Sequence, residues 1–329
     1  MEQESSSHPY ERLTPDVILS ALEDRGWHCD GRLLALNSYE NRVYQVGIEG
    51  ETPVIAKFYR PGRWTRAAIL EEHAYSRELL EHEIPVVAPL ADSKAHTLSE
   101  AEGFLFAVYP RRGGRWPDLD TREQRLQMGR FLGRMHAVGA TRDFEHRNTL
   151  SIESLGEKTR DFVLEHNLIP DYLVEAYASL TADLLTRIRQ LFEAVGPLRK
   201  IRLHGDCHKG NILWNEQGPN FVDLDDSCNG PPVQDIWMLL SGEAEDMRVQ
   251  LDDLLEGYQT FFEFEYSSIV LIEALRTLRI MHYAAWIARR WDDPAFPLAF
   301  PWFDSPRYWE EHILALREQA AALDNPPLL

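Results

Sequence analysis

Two short polar strings in the second half of this 329-residue chain constrain its fold more than any other feature. Residues 204–211 read HGDCHKGN, residues 223–226 read DLDD, and each string lies beside a short apolar run. The residues between them, 215–220, read NEQGPN, which is typical of a turn. The pattern predicts a hairpin that brings Asn211 and Asp223 together.

The side chains of Asp206, Asn211 and Asp223 are those that phosphoryl transfer requires. A transferring phosphoryl group needs positioning and charge neutralisation more than covalent catalysis. Mg²⁺ takes hard oxygen ligands, so one amide and one carboxylate suffice beside the substrate phosphates. Asp206 and Asn211 also have the five-residue offset of base and amide in protein-kinase catalytic loops. Each residue alone is more often a turn former. The ordered set predicts Asp206 as the acceptor-orienting base, Asp223 as a second catalytic residue, and Asn211 with Asp223 as metal ligands.

Composition narrows the function classes further. The chain has 34 basic and 53 acidic residues, a formal charge of −19, which argues against nucleic acid as a partner and only weakly favours a cationic acceptor. The N-terminus lacks a basic and apolar signal, and no run approaches the ~18 apolar residues of a membrane span, so we expect a cytoplasmic protein without membrane insertion. The three cysteines, Cys29, Cys207 and Cys228, make no disulfide framework, in agreement with a reducing compartment.

Length and periodicity predict two lobes. Residues 33–58 have strand-like alternation, and a buried strand at 103–110 ends near Arg111 at a glycine-containing connector. Helical periodicity marks residues 14–25, 66–81, 122–138, 172–195, 246–262 and 268–291. Together with the resemblance of residues 204–211 to a protein-kinase catalytic loop, this implies an α+β, bilobal fold like that of protein kinases. A small β-rich lobe with one paired helix would span residues 1–111, and a larger, mainly α-helical catalytic and acceptor lobe residues 112–329.

Lys57 is the residue with a chemical role in the first lobe. Residues 54–57 read VIAK and resemble the kinase strand whose lysine contacts nucleotide phosphates and pairs with a helix glutamate. Glu71 and Glu72 are both available. The spacing from Glu72 to Pro85 resembles the glutamate-to-proline spacing of kinase-like proteins, and this resemblance favours Glu72. Glu71 stays open, and a surface ion pair is the plainer interpretation of either glutamate.

Ser38 lies in the polar turn at residues 37–42, NSYENR, where protein kinases carry a glycine-rich loop. Backbone amides and the Ser38 hydroxyl can cap phosphates without glycine, because anion binding requires converging donors. An ordinary polar hairpin turn is the alternative.

Several residues are predicted to support the catalytic loop. Gly205 would permit a backbone conformation closed to larger residues, Asp235 would cap its helix or brace the loop, and His136 would be a buried structural histidine. Basic residues of the last helix, including Arg279, line an acceptor cleft or simply face solvent.

Five longer strings resemble the stress response kinase A family of bacteria, within the aminoglycoside phosphotransferase and choline kinase branch of kinase-like proteins. They read NSYENRVYQ from residue 37, KFYRP from 57, LHGDCH from 203, FVDLDD from 221 and DDPAFP from 292. The resemblance spans nearly the whole chain. It implies a cytoplasmic stress-response kinase that uses ATP as co-substrate and Mg²⁺ as cofactor and phosphorylates serine and threonine of proteins. It also implies Ser38 and Lys57 near the nucleotide, in addition to the roles of Asp206, Asn211 and Asp223.

Two alternatives remain open from the sequence. One is a small-molecule hydroxyl kinase with a homoserine-, choline- or aminoglycoside-like acceptor, and the other is a nucleotide-binding regulator without turnover. We expect a monomer whose partners are ATP and a protein with a Ser/Thr acceptor. Cys207 adjoins the predicted base, which raises the hypothesis that oxidation modulates activity.

Overall fold

The computed structural model describes residues 9–326 and residue 328. Its strands, numbered in chain order, are β1 (Cys29–Ala35), β2 (Arg42–Ile48), β3 (Val54–Phe58), β4 (Ser99–Ala101), β5 (Phe104–Pro110), β6 (Ile201–Leu203), β7 (Ile212–Asn215), β8 (Gly218–Phe221) and β9 (Cys228–Gly230). Its helices are α1 (Pro15–Glu23), α2 (Arg66–Glu81), α3 (Arg122–Gly139), α4 (Lys158–Glu165), α5 (Asp171–Val195), α6 (Val233–Trp237), α7 (Ala244–Tyr258), α8 (Ile272–Ala288), α9 (Ala295–Ala299) and α10 (Pro306–Asp324). The predicted α+β fold class is confirmed.

The chain divides into two compact units. The first runs to Asp118 and includes two later segments, Glu145–Arg147 and Lys209–Asp226. The second comprises Leu119–Phe144, Asn148–His208 and the residues from Ser227 onwards. These units are not contiguous in sequence, whereas the boundary proposed near Arg111 divides the chain once; that boundary stays a prediction about functional lobes.

An antiparallel sheet with the order β1-β2-β3-β5-β4 forms the centre of the first unit. Side chains alternate across β3, so Ala56 and Phe58 face the apolar core, where Phe58 stacks on Phe106 at 5.1 Å. Lys57 points to the opposite face and lies between Val43 of β2 and Ala107 of β5. The sheet thus separates Lys57 from the core beneath α1.

Helices α1 and α2 begin where the sequence predicts. The hydroxyl of Thr14 accepts a hydrogen bond from the Val17 amide, and the hydroxyl of Thr65 accepts one from the Ala68 amide. Each threonine therefore satisfies an amide that the first helical turn leaves unpaired. The buried side of α2 carries Glu72 among its apolar residues, which places a carboxylate in the interior.

The predicted hairpin is confirmed. β7 pairs with β8 in antiparallel register from Ile212 opposite Phe221 to Asn215 opposite Gly218. Gly218 has φ +106°, a left-handed conformation that glycine adopts without steric cost. The open end of the hairpin therefore presents the residues that precede Ile212 and follow Phe221.

The second unit is mainly helical. At the contact of α3 with α7, a Cβ on Gly129 would overlap the Leu254 carbonyl oxygen, and a Cβ on Gly133 would overlap the Tyr258 carbonyl oxygen. Both glycines therefore permit the close packing of α3 against α7. Elsewhere, α5, α8 and α10 share an apolar core that includes Trp309. No helix in residues 9–326 is long and apolar enough to span a membrane.

Candidate active site

Asn211 and Asp223 flank the open end of the β7–β8 hairpin. The amide of Val222 donates to the Asn211 carbonyl at 3.0 Å, which extends the pairing by one step beyond the strands. Asp223 has φ +58°, a conformation that side-chain-bearing residues seldom adopt and that is common at functional sites. Its carboxylate is 53% exposed. The hairpin thus sets an amide residue beside an accessible carboxylate.

Lys57 forms ion pairs with two carboxylates of this segment. Its Nζ lies 2.8 Å from Asp223 Oδ1 and 3.1 Å from Asp225 Oδ1. Burial opposes the charge, but the two aspartates outweigh it and raise the pKa of Lys57 well above its usual value. The ammonium therefore stays charged in the interior of the first unit.

Glu72 lies near Lys57 without pairing to it. Within the described residues, no ion pair joins the two side chains, and Glu72 Oε2 is buried without a hydrogen-bond partner. Burial raises the pKa of Glu72 to about 7, against the lowering influence of Lys57 and Arg147. The predicted ion pair between Lys57 and Glu72 does not form; the Lys57 ammonium pairs with Asp223 and Asp225 instead.

Glu71 has a different position. Its carboxylate accepts hydrogen bonds from the backbone amides of Glu145 at 2.6 Å and His146 at 2.8 Å. It thereby anchors a loop segment. Of the two glutamates left open by the sequence, Glu72 is the one in the electrostatic environment of Lys57.

A chain of buried polar groups lies behind Lys57. The Tyr59 hydroxyl is 2.8 Å from both His73 Nε2 and the Tyr109 hydroxyl, and His73 Nδ1 is 2.9 Å from Thr97 Oγ1. Burial, together with the charge of Lys57, lowers the pKa of His73 to about 3. The neutral imidazole thus cross-links α2 to the sheet.

The turn that carries Ser38 is bound through Asn41 to residues 223–226, the acidic segment. Asn41 Nδ2 donates to Asp225 Oδ2 at 2.9 Å, and Asn41 Oδ1 accepts from the Arg60 amide at 3.1 Å. Arg63 adds ion pairs to Asp225 at 2.6 Å and to Asp226 at 2.5 Å. Ser38 itself is half-buried, and its hydroxyl has no hydrogen-bond partner among the described residues.

In the second unit, Asp235 braces the loop that carries Asp206. Its carboxylate accepts from the amides of His204 at 2.8 Å and Gly205 at 2.9 Å, and His136 Nε2 lies 3.1 Å away. Asp235 and His136 are fully buried, as a structural pair should be. Gly205 has φ +85°, so the predicted need for glycine is confirmed.

Both oxygens of the Asp206 carboxylate lie near cationic or cation-forming groups. Arg279 Nη1 is 2.5 Å from Oδ1, and His208 Nε2 is 3.4 Å from Oδ2. Burial alone would raise the pKa of Asp206, but the hydrogen bond from His208 and the charge of Arg279 lower it below the usual range. The carboxylate is therefore ionised and able to accept a proton or a hydrogen bond.

Cys207, the neighbour of Asp206, is fully buried. Burial, with Asp235 and Asp206 nearby, raises the pKa of its thiol well above the ordinary value. Because reactive cysteines require a thiolate and access, Cys207 lacks both properties on which the oxidation hypothesis depends.

Metal binding would use oxygen ligands at the hairpin. No group of three or more His, Cys, Asp or Glu side chains in the described part of the chain is arranged to hold a metal ion. Mg²⁺, however, commonly uses one or two protein oxygens together with water and substrate phosphates. Asn211 and the accessible Asp223 carboxylate fit that donor set.

The sequence predicted Asp206, Asn211 and Asp223 but not all of their partners. Arg63, which pairs with Asp225, was not predicted, and Arg279, which pairs with Asp206, was predicted only as one of several basic residues that line an acceptor cleft or face solvent. No local signal distinguishes either arginine from the others in the sequence. Asp225 and Asp223 both pair with Lys57. The sequence indicates this role of Asp225 only by its position two residues after Asp223.

Comparison with known proteins shows the family to which the chain belongs. The model of the phosphotransferase enzyme family matches residues 32–269. Stress response kinase A of Escherichia coli strain K12 is 44% identical over 324 residues, 98% of either chain. The serine/threonine protein kinase RdoA of Salmonella typhimurium is 42% identical over 319 residues, 97% of this chain and 96% of the relative.

Solved structures share the fold at low sequence identity. A microcompartment-associated aminopropanol kinase superposes with a TM-score of 0.72 at 17% identity, covering 95% of this chain and 100% of the other. An amicoumacin kinase in complex with AMP-PNP and Ca²⁺ gives a TM-score of 0.69 at 19% identity, with 94% and 96% covered. By sequence and by fold, the chain belongs to the phosphotransferase enzyme family and, within it, to the group of stress response kinase A.

Proposed function

We propose that this kinase transfers the γ-phosphoryl group of ATP, with Mg²⁺, to serine and threonine hydroxyls of proteins. The ion pair between Lys57 and Asp223, beside Asn211 at the end of one hairpin, carries the proposal. A charged ammonium next to hard oxygen ligands suits the triphosphate and metal of a nucleotide. The protein acceptor is supported by the names of relatives, one of which is called a serine/threonine protein kinase.

Each predicted site residue has a role in this proposal. Asn211 and Asp223 would hold Mg²⁺, which neutralises charge on the phosphates when bound. Lys57 would bind phosphate oxygens, and the unpartnered Ser38 hydroxyl would cap them. Glu72, buried beside Lys57, would balance the ammonium whenever Asp223 is engaged elsewhere.

Asp206 would orient the acceptor hydroxyl and accept its hydrogen bond. Its ionised carboxylate and the loop fixed by Asp235 support this role, because an orienting base must be unprotonated and rigidly held. Proposed ligands of the nucleotide belong to the first unit, and the proposed base belongs to the second. The five-residue offset from Asp206 to Asn211 links the two roles along the chain.

A transfer assay with radiolabelled ATP tests the proposal. Acceptors would include acidic and basic proteins and, separately, amino alcohols, homoserine and aminoglycosides. We expect label on protein serine and threonine and its loss when Mg²⁺ is chelated. Label on the small alcohols alone would favour the small-molecule kinase, for which the aminopropanol kinase and amicoumacin kinase folds are precedents.

Variants separate the roles of the two aspartates. Asp206→Asn should lower transfer by about 10²–10⁴-fold while ATP binding persists. Asp223→Asn should weaken the dependence of nucleotide binding on Mg²⁺. Asp304→Asn is the control because Asp304 is an exposed residue remote from both motifs in sequence. ATP binding without transfer by the wild-type chain would instead indicate a nucleotide-binding regulator.

A further inference from the structure

We propose that Arg279 selects the acceptor, so that this kinase prefers serine or threonine beside a carboxylate or phosphate group over a cationic acceptor. The inference rests on the proposed function, because it takes Asp206 as the base that the acceptor hydroxyl must approach.

The first argument is the contact itself. Arg279 Nη1 bonds to Asp206 Oδ1 at 2.5 Å, and both residues belong to the second unit. A guanidinium has five N–H donors, and one nitrogen makes this bond. The Arg279 side chain is 43% exposed, and within the described residues its hydrogen bonding and ion pairing are with Asp206, so it retains donors for an acceptor. An acceptor that brings its hydroxyl to Asp206 therefore also meets a guanidinium.

The second argument is that Arg279 differs from the other arginines of the same region. Arg276 forms an ion pair with Glu273 at 3.2 Å and packs over Trp237. Arg289 and Arg290 lie over aromatic rings, those of Phe162 and Trp286 respectively. Within the described residues, the ion-pair partner of Arg279 is the proposed base itself. Its charge is therefore placed for the acceptor.

Local charge then opposes the trend of the whole chain. The formal charge of −19 would favour cationic acceptors, but at Asp206 one oxygen faces Arg279 and the other faces His208. Short-range interactions in a partly buried site exceed those of distant surface charges, which salt screens. A choline-like or aminoglycoside amine next to the hydroxyl would be repelled by Arg279, whereas a planar carboxylate or phosphate would match the guanidinium fork.

The test uses three serine peptides that differ only in the residues flanking serine, which are glutamate, alanine or lysine. Wild type should phosphorylate the glutamate peptide with a kcat/KM about tenfold above that of the lysine peptide. High salt should reduce this ratio. Arg279→Gln should bring it close to one, and Arg279→Glu should invert it, with a gain on the lysine peptide that misfolding does not produce.

Arg307→Glu provides the matched control. Arg307 is an 84% exposed arginine that pairs with Glu311 on α10, so the substitution changes charge equally without touching Asp206. Its peptide preference should equal that of wild type.

The outcomes distinguish this inference from the function on which it rests. Equal transfer to all three peptides, or a preference that Arg279→Glu leaves unchanged, overturns the role of Arg279 and leaves protein phosphorylation standing. Transfer to none of the peptides but to small amino alcohols overturns both proposals.

Discussion

Lys57 and Asp223 are 166 residues apart in the chain, yet Nζ of one lies 2.8 Å from Oδ1 of the other. Asp225 forms a second ion pair with the same ammonium, with its Oδ1 at 3.1 Å from Lys57 Nζ. The pair joins the central sheet to the segment that follows the hairpin. The proposed phosphate binding and the local stability of the first unit therefore depend on the same side chain.

Replacing Lys57 by methionine should impair both properties. Transfer should fall by about 10²-fold or more because a preorganised cation is lost. The free energy of unfolding should fall because the buried carboxylate of Asp225 loses the ammonium of Lys57. The decrease should be limited to about 1–3 kcal/mol, because Asp225 keeps Arg63 and Asn41 as partners. Steady-state kinetics and urea denaturation measure the two effects. Lys158→Met, at a 66% exposed lysine, is the control and should change neither.

Asp235→Asn should slow transfer without weakening ATP binding. An amide side chain has one oxygen where the carboxylate accepts from His204 and Gly205 with two, so the loop that carries Asp206 loses a constraint. We expect a decrease in kcat of about 10–100-fold. Titration with a fluorescent ATP analogue should give unchanged affinity, and an equal loss of affinity would contradict a role confined to the loop.

The neutral, buried His73 should make stability depend on pH. Unfolded histidine takes up a proton near pH 6.5, whereas folded His73 does so only near pH 3, so the unfolded state binds more protons between these values. The contribution of His73 to stability therefore falls as pH falls in this window, whereas Glu72, whose pKa burial raises to about 7, contributes in the opposite direction. Between pH 7 and pH 5, the contribution of His73 should decrease by about 2 kcal/mol.

Urea denaturation of His73→Gln at the two pH values measures that share. Relative to wild type, the variant should lose about 2 kcal/mol less stability between pH 7 and pH 5, because Glu72 and His312, whose pKa burial lowers to about 4, contribute in both proteins. His28→Gln, at an exposed histidine, should keep the wild-type pH dependence. An identical pH dependence in wild type and His73→Gln would refute the prediction.

Gly133→Ala should destabilise the second unit. Alanine normally favours a helix over glycine by up to about 1 kcal/mol, but here the added Cβ would overlap the Tyr258 carbonyl oxygen of α7. The displacement of α7 should cost about 1–3 kcal/mol and outweigh the helix-propensity gain, so the substitution is destabilising. A lower midpoint of thermal unfolding would show the destabilisation. Gly113→Ala, where the Cβ meets no atom within 4 Å, should change stability by no more than about 0.5 kcal/mol.

Local signals explain which elements were predictable from the sequence. The pattern of residues 66–81 gave the bounds of α2, and the turn between two apolar runs gave the β7–β8 hairpin. Helix α10 was not predicted, although Ser305 caps its first turn and Pro306 opens it. Strand β1 begins at Cys29, earlier than predicted, because its exposed residues lack regular alternation.

Partner choice within the site was less predictable for a physical reason. Any carboxylate that reaches Lys57 satisfies its charge, and the sequence offers Glu71, Glu72, Asp223 and Asp225 at widely different separations. The choice depends on side-chain reach after folding: Glu71 binds backbone amides, and Asp223 and Asp225 arrive with the hairpin. The sequence therefore predicts that a carboxylate pairs with Lys57, but it does not predict which of these distant carboxylates does so.

The segment Glu145–Arg147 belongs to the first unit although the chain on both sides of it belongs to the second. Arg147 donates to the carbonyl oxygens of Ala68 and Asp225, so this segment connects α2 to the acidic segment by hydrogen bonds. A fragment ending at Asp118 would lack these hydrogen bonds as well as the hairpin. Neither unit can be obtained by cutting the chain once, and exchanging the first unit between relatives would require grafting three separate pieces of sequence at the same time.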